Sequence, residues 1–230
     1  MRTSIFFTAI ALIPFAMSAP SRRPSFYPRQ NCENGTADTI TPDGPTESTT
    51  PLCDLSDVQQ PPSSLPPPTA DMSLVLVALG QGTQNYTCSN ATAIPSSIGA
   101  VAQLFNASCE LSSNPTAGTA SLGSIEETAS IGAHFFLDNT TPDFDILGLG
   151  NTVAKKIDDV PAPDDATKNV KWLRLEAQTG SSSDVKMVYR LNTVGGMAPA
   201  SCAGMAPGEV VTVEYEAQYW IYTESFTSLR

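Results

Sequence analysis

The sequence predicts an all-β domain, an antiparallel β-sandwich or partly closed barrel stapled by disulfides, behind a disordered Ser/Thr/Pro-rich leader. Two observations carry the fold class: apolar and polar residues alternate at period two through the C-terminal half, and Gly/Ser/Pro turns separate the alternating segments. A third carries the staples: five cysteines are spread along the chain without a CxxC pair.

The chain opens with MRTSIFFTAIALIPFAMSA, in which Arg2 precedes an apolar stretch from Ile5 to Phe15 and then Ala16-Met17-Ser18. This is the layout of a secretory signal peptide over residues 1–18. Its apolar stretch is shorter than the roughly 20 residues a bilayer span requires, and no later stretch comes closer. A secreted, extracellular protein is expected. Residues 19–70 form the leader, with a dibasic Arg22-Arg23 that is a candidate processing site weakened by Pro24 behind it. From Asn34 to Ala70 it is rich in Thr, Ser and Pro, so it buries too little apolar surface to offset its ordering entropy and is open to O-glycosylation. Cys53 is placed to tether it to the body.

Residues 71–230 read as a single β domain. Leu74 to Leu79 is a continuous apolar run, expected to be a buried strand. Gly80-Gln-Gly82 follows it, and the stretch GQGTQNYTC invites comparison with a phosphate loop. It lacks the Lys-Ser/Thr pair such a loop needs, so it is read as a turn or bulge between two strands. Ile98 to Phe105 fits a short helix or a strand, and its period does not separate the two. Ile131 to Leu137 is another buried strand. Gly148-Leu-Gly150 starts like a dinucleotide fingerprint but lacks the third glycine and a following helix, and reads as a loop.

The last three strands alternate clearly. In Lys171 to Gln178, Leu173, Leu175 and Ala177 share one face, with Arg174 and Glu176 on the other. In Val185 to Leu191 the odd positions are apolar, and Lys186 and Arg190 point the opposite way. In Val210 to Tyr222, Val211, Val213, Tyr215, Ala217, Tyr219 and Ile221 alternate with Thr212, Glu214, Glu216 and Gln218. Trp220 and Tyr222 share the face of Gln218. There they form an exposed aromatic pair able to stack on sugar rings or a protein, or they are covered by the leader or a second sheet.

Secretion sets the chemistry of the cysteines and asparagines. Cys53, Cys88, Cys109 and Cys202 are expected to form two disulfides, with Cys32 in the leader as the odd thiol. One histidine and no CxxC make a structural metal unexpected, and no cofactor is implied. Sequons begin at Asn34, Asn85, Asn90, Asn106 and Asn139. The formal net charge is −11, and no lysine or arginine occurs between Gln30 and Ala154. Such a chain repels nucleic acid and anionic membranes, which leaves wall polysaccharide or a host extracellular protein as the expected partner.

The segments GTQNYTC, IGAHFF, KWLRLEA, YRLNTVGGMAP with Cys202 behind it, and VEYEAQYWIY together resemble the DUF3455 family of secreted bacterial and fungal proteins, over about Leu74 to Tyr222. The resemblance implies no particular activity. Some fungal relatives carry the name malate dehydrogenase, yet the incomplete nucleotide fingerprint and the absence of a parallel α/β pattern argue against an NAD-dependent dehydrogenase. A filamentous fungus is the expected source.

The sequence offers two classes of function. His134, the single histidine, matches one typical of the family and stands near Asp143 and Asp145; together they are the candidate catalytic set for an extracellular enzyme on wall polysaccharide. Neither GxSxG nor HExxH occurs. The favoured expectation is a secreted, N-glycosylated binding protein at the fungal wall or in a host's extracellular space, with an effector-like role in colonisation. Its candidate binding residues are Trp220, Tyr222 and, in the connection after Leu191, Asn192, Gly195 and Gly196, although the glycines read first as a tight structural turn.

Overall fold

A computed structural model of the chain describes residues 53–113 and 129–225, which lie in one compact unit. The signal peptide, Cys32, Asn34 and the leader up to residue 52 lie outside the described residues.

The alternating segments pair antiparallel with their sequence neighbours and close into an eight-stranded barrel. In order these are β1 (Met72–Thr87), β2 (Ser96–Asn106), β3 (Gly132–Phe136), β4 (Pro142–Ile146), β5 (Gly150–Val160), β6 (Trp172–Ala177), β7 (Val185–Gly195) and β8 (Val210–Glu224), with the short helix α1 (Ser108–Ser113) after β2. Strand β8 returns along the whole of β1, from Met72 opposite Glu224 to Thr87 opposite Val210, so no sheet edge is left unpaired.

The ambiguous segment from Ile98 to Phe105 is strand, inside β2. The glycine stretch is not the turn or bulge expected: β1 runs straight through Gly80 and Gly82, which pair with Leu104 and Ala102 on one side and Ala217 and Tyr215 on the other. A Cβ on Gly82 would lie 1.9 Å from the Val101 carbonyl oxygen, and one on Gly80 would lie 2.4 Å from the Tyr219 ring. These glycines are there because β2 and the Tyr219 ring approach the strand so closely.

Two hydrophobic clusters occupy the two faces of the barrel wall. Ala78, Ala102, Leu104, Phe144, Leu175, Val188, Tyr219 and Ile221 fill the interior. Val77, Trp172, Met187, Tyr189, Leu191, Trp220 and Tyr222 alternate with them and point outward, where Leu55, Val58 and Leu65 of the leader cover them. The leader from residue 53 to residue 70 has no helix or strand, yet it is strapped to the body. Tyr189 donates to the Pro66 carbonyl at 2.8 Å, and Cys53 is disulfide-bonded to Cys109 in α1.

This strap inverts one face assignment. The odd positions of β7, expected to face the core with Arg190 turned away, face outward at Met187, Tyr189 and Leu191, and Arg190 points into the barrel opposite Tyr219. A register shift between Val185 and Met187 changes the parity, so that Val185 and Val188 both belong to the interior cluster. The second disulfide, Cys88–Cys202, closes a separation of 114 residues and pins the connection between β7 and β8 to the end of β1.

Candidate functional site

The three candidate catalytic residues come from adjacent strands but not to one place. His134 pairs with Phe144 across β3 and β4, stacks on it at 4.3 Å between ring centroids, and lies 5.2 Å from the Tyr219 ring. It is therefore an interior residue, 3% exposed. Its Nδ1 is 2.8 Å from the Asp143 carbonyl oxygen, which requires the proton on Nδ1. Burial holds its pKa down at about 4, so the ring is neutral at ordinary pH. Asp143 and Asp145 flank the inward Phe144 and so project from the opposite face of β4. Asp143 is buried and accepts a hydrogen bond from Asn151, and burial pushes its carboxyl up, while Asp145 is exposed. The barrel wall thus separates the imidazole from both side-chain carboxylates. Among the described residues, no three His, Cys, Asp or Glu side chains are grouped to hold a metal ion.

The aromatic pair is covered. Trp220 is 0% exposed beneath the strap and donates to Gln218 Oε1 at 3.1 Å, and burial pushes the Tyr222 hydroxyl up. Of the two alternatives for this face, cover by the leader is the one realised, and neither ring is available to stack on a sugar. Asn192, Gly195 and Gly196 serve the end of β7. Asn192 sits at φ 47° within a register shift and donates to Gln218 Oε1 at 2.9 Å. Gly195 and Gly196 have φ of 75° and 82°, and a Cβ on Gly196 would come within 2.8 Å of Tyr215 Cβ. The strand runs to Gly195 rather than ending near Leu191, so this block is wall rather than an open loop. Of the sequons, Asn90 and Asn139 are exposed and Asn85 and Asn106 are half-buried.

What the sequence left unremarked is the mouth of the barrel. At the end where β3 hands over to β4, residues of seven strands and their loops ring a cavity of about 390 Å3. Its walls are apolar at Phe136, Pro142, Val170, Leu173, Leu175 and Met197, and its polar residues include Gln84, Tyr86, Lys156, Lys171 and Arg190. An eight-stranded barrel has an interior just wide enough to be filled by side chains or to hold one small ligand, and here the lower part is filled while the mouth is open.

The polar residues of the mouth are unusual in what they lack. Arg190 is 7% exposed, and its Nε and Nη2 donate to the Lys171 carbonyl at 3.3 and 2.9 Å. Among the described residues no carboxylate pairs with it; the ion pairs there join Lys156 and Lys171 to Asp159 and Lys168 to Asp165. Its positive charge acts on the Tyr86, Tyr215 and Tyr219 hydroxyls, though burial outweighs it and pushes all three up. Gln84 is 6% exposed, and its Nε2 has no hydrogen-bond partner. Tyr86 donates to the Gly196 carbonyl, and Tyr215 and Tyr219 join their hydroxyls at 2.8 Å. One side of the rim is braced by Asp138, which accepts from the backbone and hydroxyls of Thr140 and Thr141 and is held down to about 2 by those bonds.

A closed eight-stranded barrel with two disulfides and a polar-floored mouth defines the class of protein. The particular family is given by sequence: the family described as Protein of unknown function (DUF3455) matches residues 68–223, and the chain belongs to it. No curated protein and no solved structure matches the chain. Among the described residues, no helix is long and apolar enough to cross a membrane, and the two disulfides accord with an oxidising compartment.

Proposed function

We propose that this is a secreted, N-glycosylated binding protein, working at a fungal wall or in a host's extracellular space, whose binding site is the mouth of the barrel. The observation that carries the reading is the buried polarity there: among the described residues Arg190 has no carboxylate and Gln84 Nε2 no hydrogen-bond partner, and both residues line one open cavity. Burying a guanidinium without a carboxylate and an amide donor without an acceptor costs stability, and such groups persist in a fold where a ligand completes them. The separation of His134 from the side chains of Asp143 and Asp145 supports binding over hydrolysis. The cover over Trp220 and Tyr222 moves the site away from the outer face, where a wall glycan would have stacked.

The test is a small-fragment library screened by ligand-observed NMR on the secreted protein and on Leu173→Trp, which fills the mouth. Hits that disappear in the filled variant support the reading. A library without hits, or hits that survive Leu173→Trp, overturns it.

A further inference from the structure

The mouth also carries information on what it would hold. The chain has 23 acidic residues against 12 basic ones, yet among the described residues no Asp or Glu lines this cavity, whereas Lys156, Lys171 and Arg190 do. The two lysines share the one carboxylate of Asp159, which is not among the lining residues, and their side chains are exposed at the rim, so among the described residues the deep guanidinium is the buried cation without a carboxylate partner. Two of its five N–H donors meet the Lys171 carbonyl, which fixes the planar group against the wall. Beside this polar floor the walls are apolar and include an aromatic ring.

We infer that the mouth takes a small organic monoanion: a carboxylate whose charge meets Arg190 and the Gln84 amide, and whose apolar body lies against Phe136, Leu173 and Met197. The inference rests on the mouth being the binding site and adds the chemistry of the ligand. A guanidinium and an amide donor that line one cavity can each meet an oxygen of a carboxylate, and the pairing is strengthened by the low dielectric of the closed end. A single buried cation at the floor of an apolar cup, with the two lysines exposed at the rim, favours one negative charge at that depth, because a second would be buried without a partner. The cavity, at about 390 Å3, falls in the size range of small-molecule pockets.

The experiment is isothermal titration calorimetry of the full secreted chain with 2-naphthoate and with its uncharged analogue 2-naphthamide. These share one apolar body and differ in charge. The expected result is binding of 2-naphthoate at least about tenfold tighter than 2-naphthamide, with that margin abolished in Arg190→Gln and reduced in Gln84→Leu. The comparison of the two compounds on the unaltered protein stands even if Arg190→Gln fails to fold. Equal binding of both, lost in Leu173→Trp, overturns the anion and leaves the mouth as a binding site. Binding of neither at about 1 mM overturns the carboxylate, and the fragment screen then decides independently whether the mouth binds anything.

Discussion

From Ala217 to Tyr222 strand β8 is buried on both faces, but the two faces are finished differently. Outward, Trp220 and Tyr222 lie under Leu55, Val58 and Leu65 in a cluster of apolar side chains, and the Trp220 N–H has an acceptor. Inward, Tyr215 and Tyr219 share the barrel with Arg190 and Gln84, whose polar groups are left incompletely paired. The strap too keeps one amide donor without a partner, Gln60 Nε2, so the difference between the faces is one of charge: the buried cation among the described residues, Arg190, lies on the inward face. On the proposed reading the strap serves the fold and the mouth serves a ligand.

The contrast breaks most visibly at Trp220. Trp220→Ala removes the largest side chain of the outer cluster and is expected to cost about 3–5 kcal/mol, read as a lower urea midpoint. If it were nearly neutral, the strap would not be a second core. Replacing Cys53 and Cys109 together by Ser frees the strap and reopens a 56-residue separation, with an expected loss of about 2–4 kcal/mol in the same assay.

The interior contributes through its histidine. His134 titrates near 6.5 when unfolded and at about 4 when folded. Between those values the unfolded chain takes up the proton first, so stability climbs with pH across that window. The contribution is fully present above about 6.5 and gone below about 4, a span of about 3 kcal/mol. His134→Gln is expected to flatten the slope of stability between pH 4 and 6.5; an unchanged slope would place the titrating group elsewhere.

The smallest effects sharpen the comparison most, because their signs differ. Tyr189→Phe deletes the bond to the Pro66 carbonyl that holds the strap, and should cost about 1 kcal/mol in thermal unfolding. Gln84→Leu removes a buried donor that has no partner, and should leave stability unchanged or raise it by up to about 1 kcal/mol in the absence of ligand. A clear loss on Gln84→Leu would mean that the mouth is built for stability after all.

Much of this fold is legible in the sequence, and the limits are physical. The strands β6 to β8 announce themselves because each has an apolar face at period two. Which face turns inward is not in the alternation, and at β7 the strap supplies an outer cover that makes Met187, Tyr189 and Leu191 look like core while Arg190 is the residue inside. Gly80 and Gly82 resemble a turn because the reason for them, the Val101 carbonyl and the Tyr219 ring, comes from β2 and β8. His134 and the two acids are conspicuous by type and by nearness in sequence, yet it takes the folded β4, with Phe144 turned inward beside His134, to put both acids on the opposite face. The mouth escaped notice because its residues are drawn singly from seven strands; the one local hint was an arginine interrupting the apolar run of β7.

The central claim, that the mouth binds and the strap supports, is tested most directly by methyl NMR of the labelled protein titrated with 2-naphthoate. The account predicts shifts at the methyls of Val170, Leu173, Leu175 and Met197 around the cavity, with those of Leu55, Val58 and Leu65 unmoved. Shifts concentrated at Leu55, Val58 and Leu65 would contradict it and make the outer cluster the binding surface.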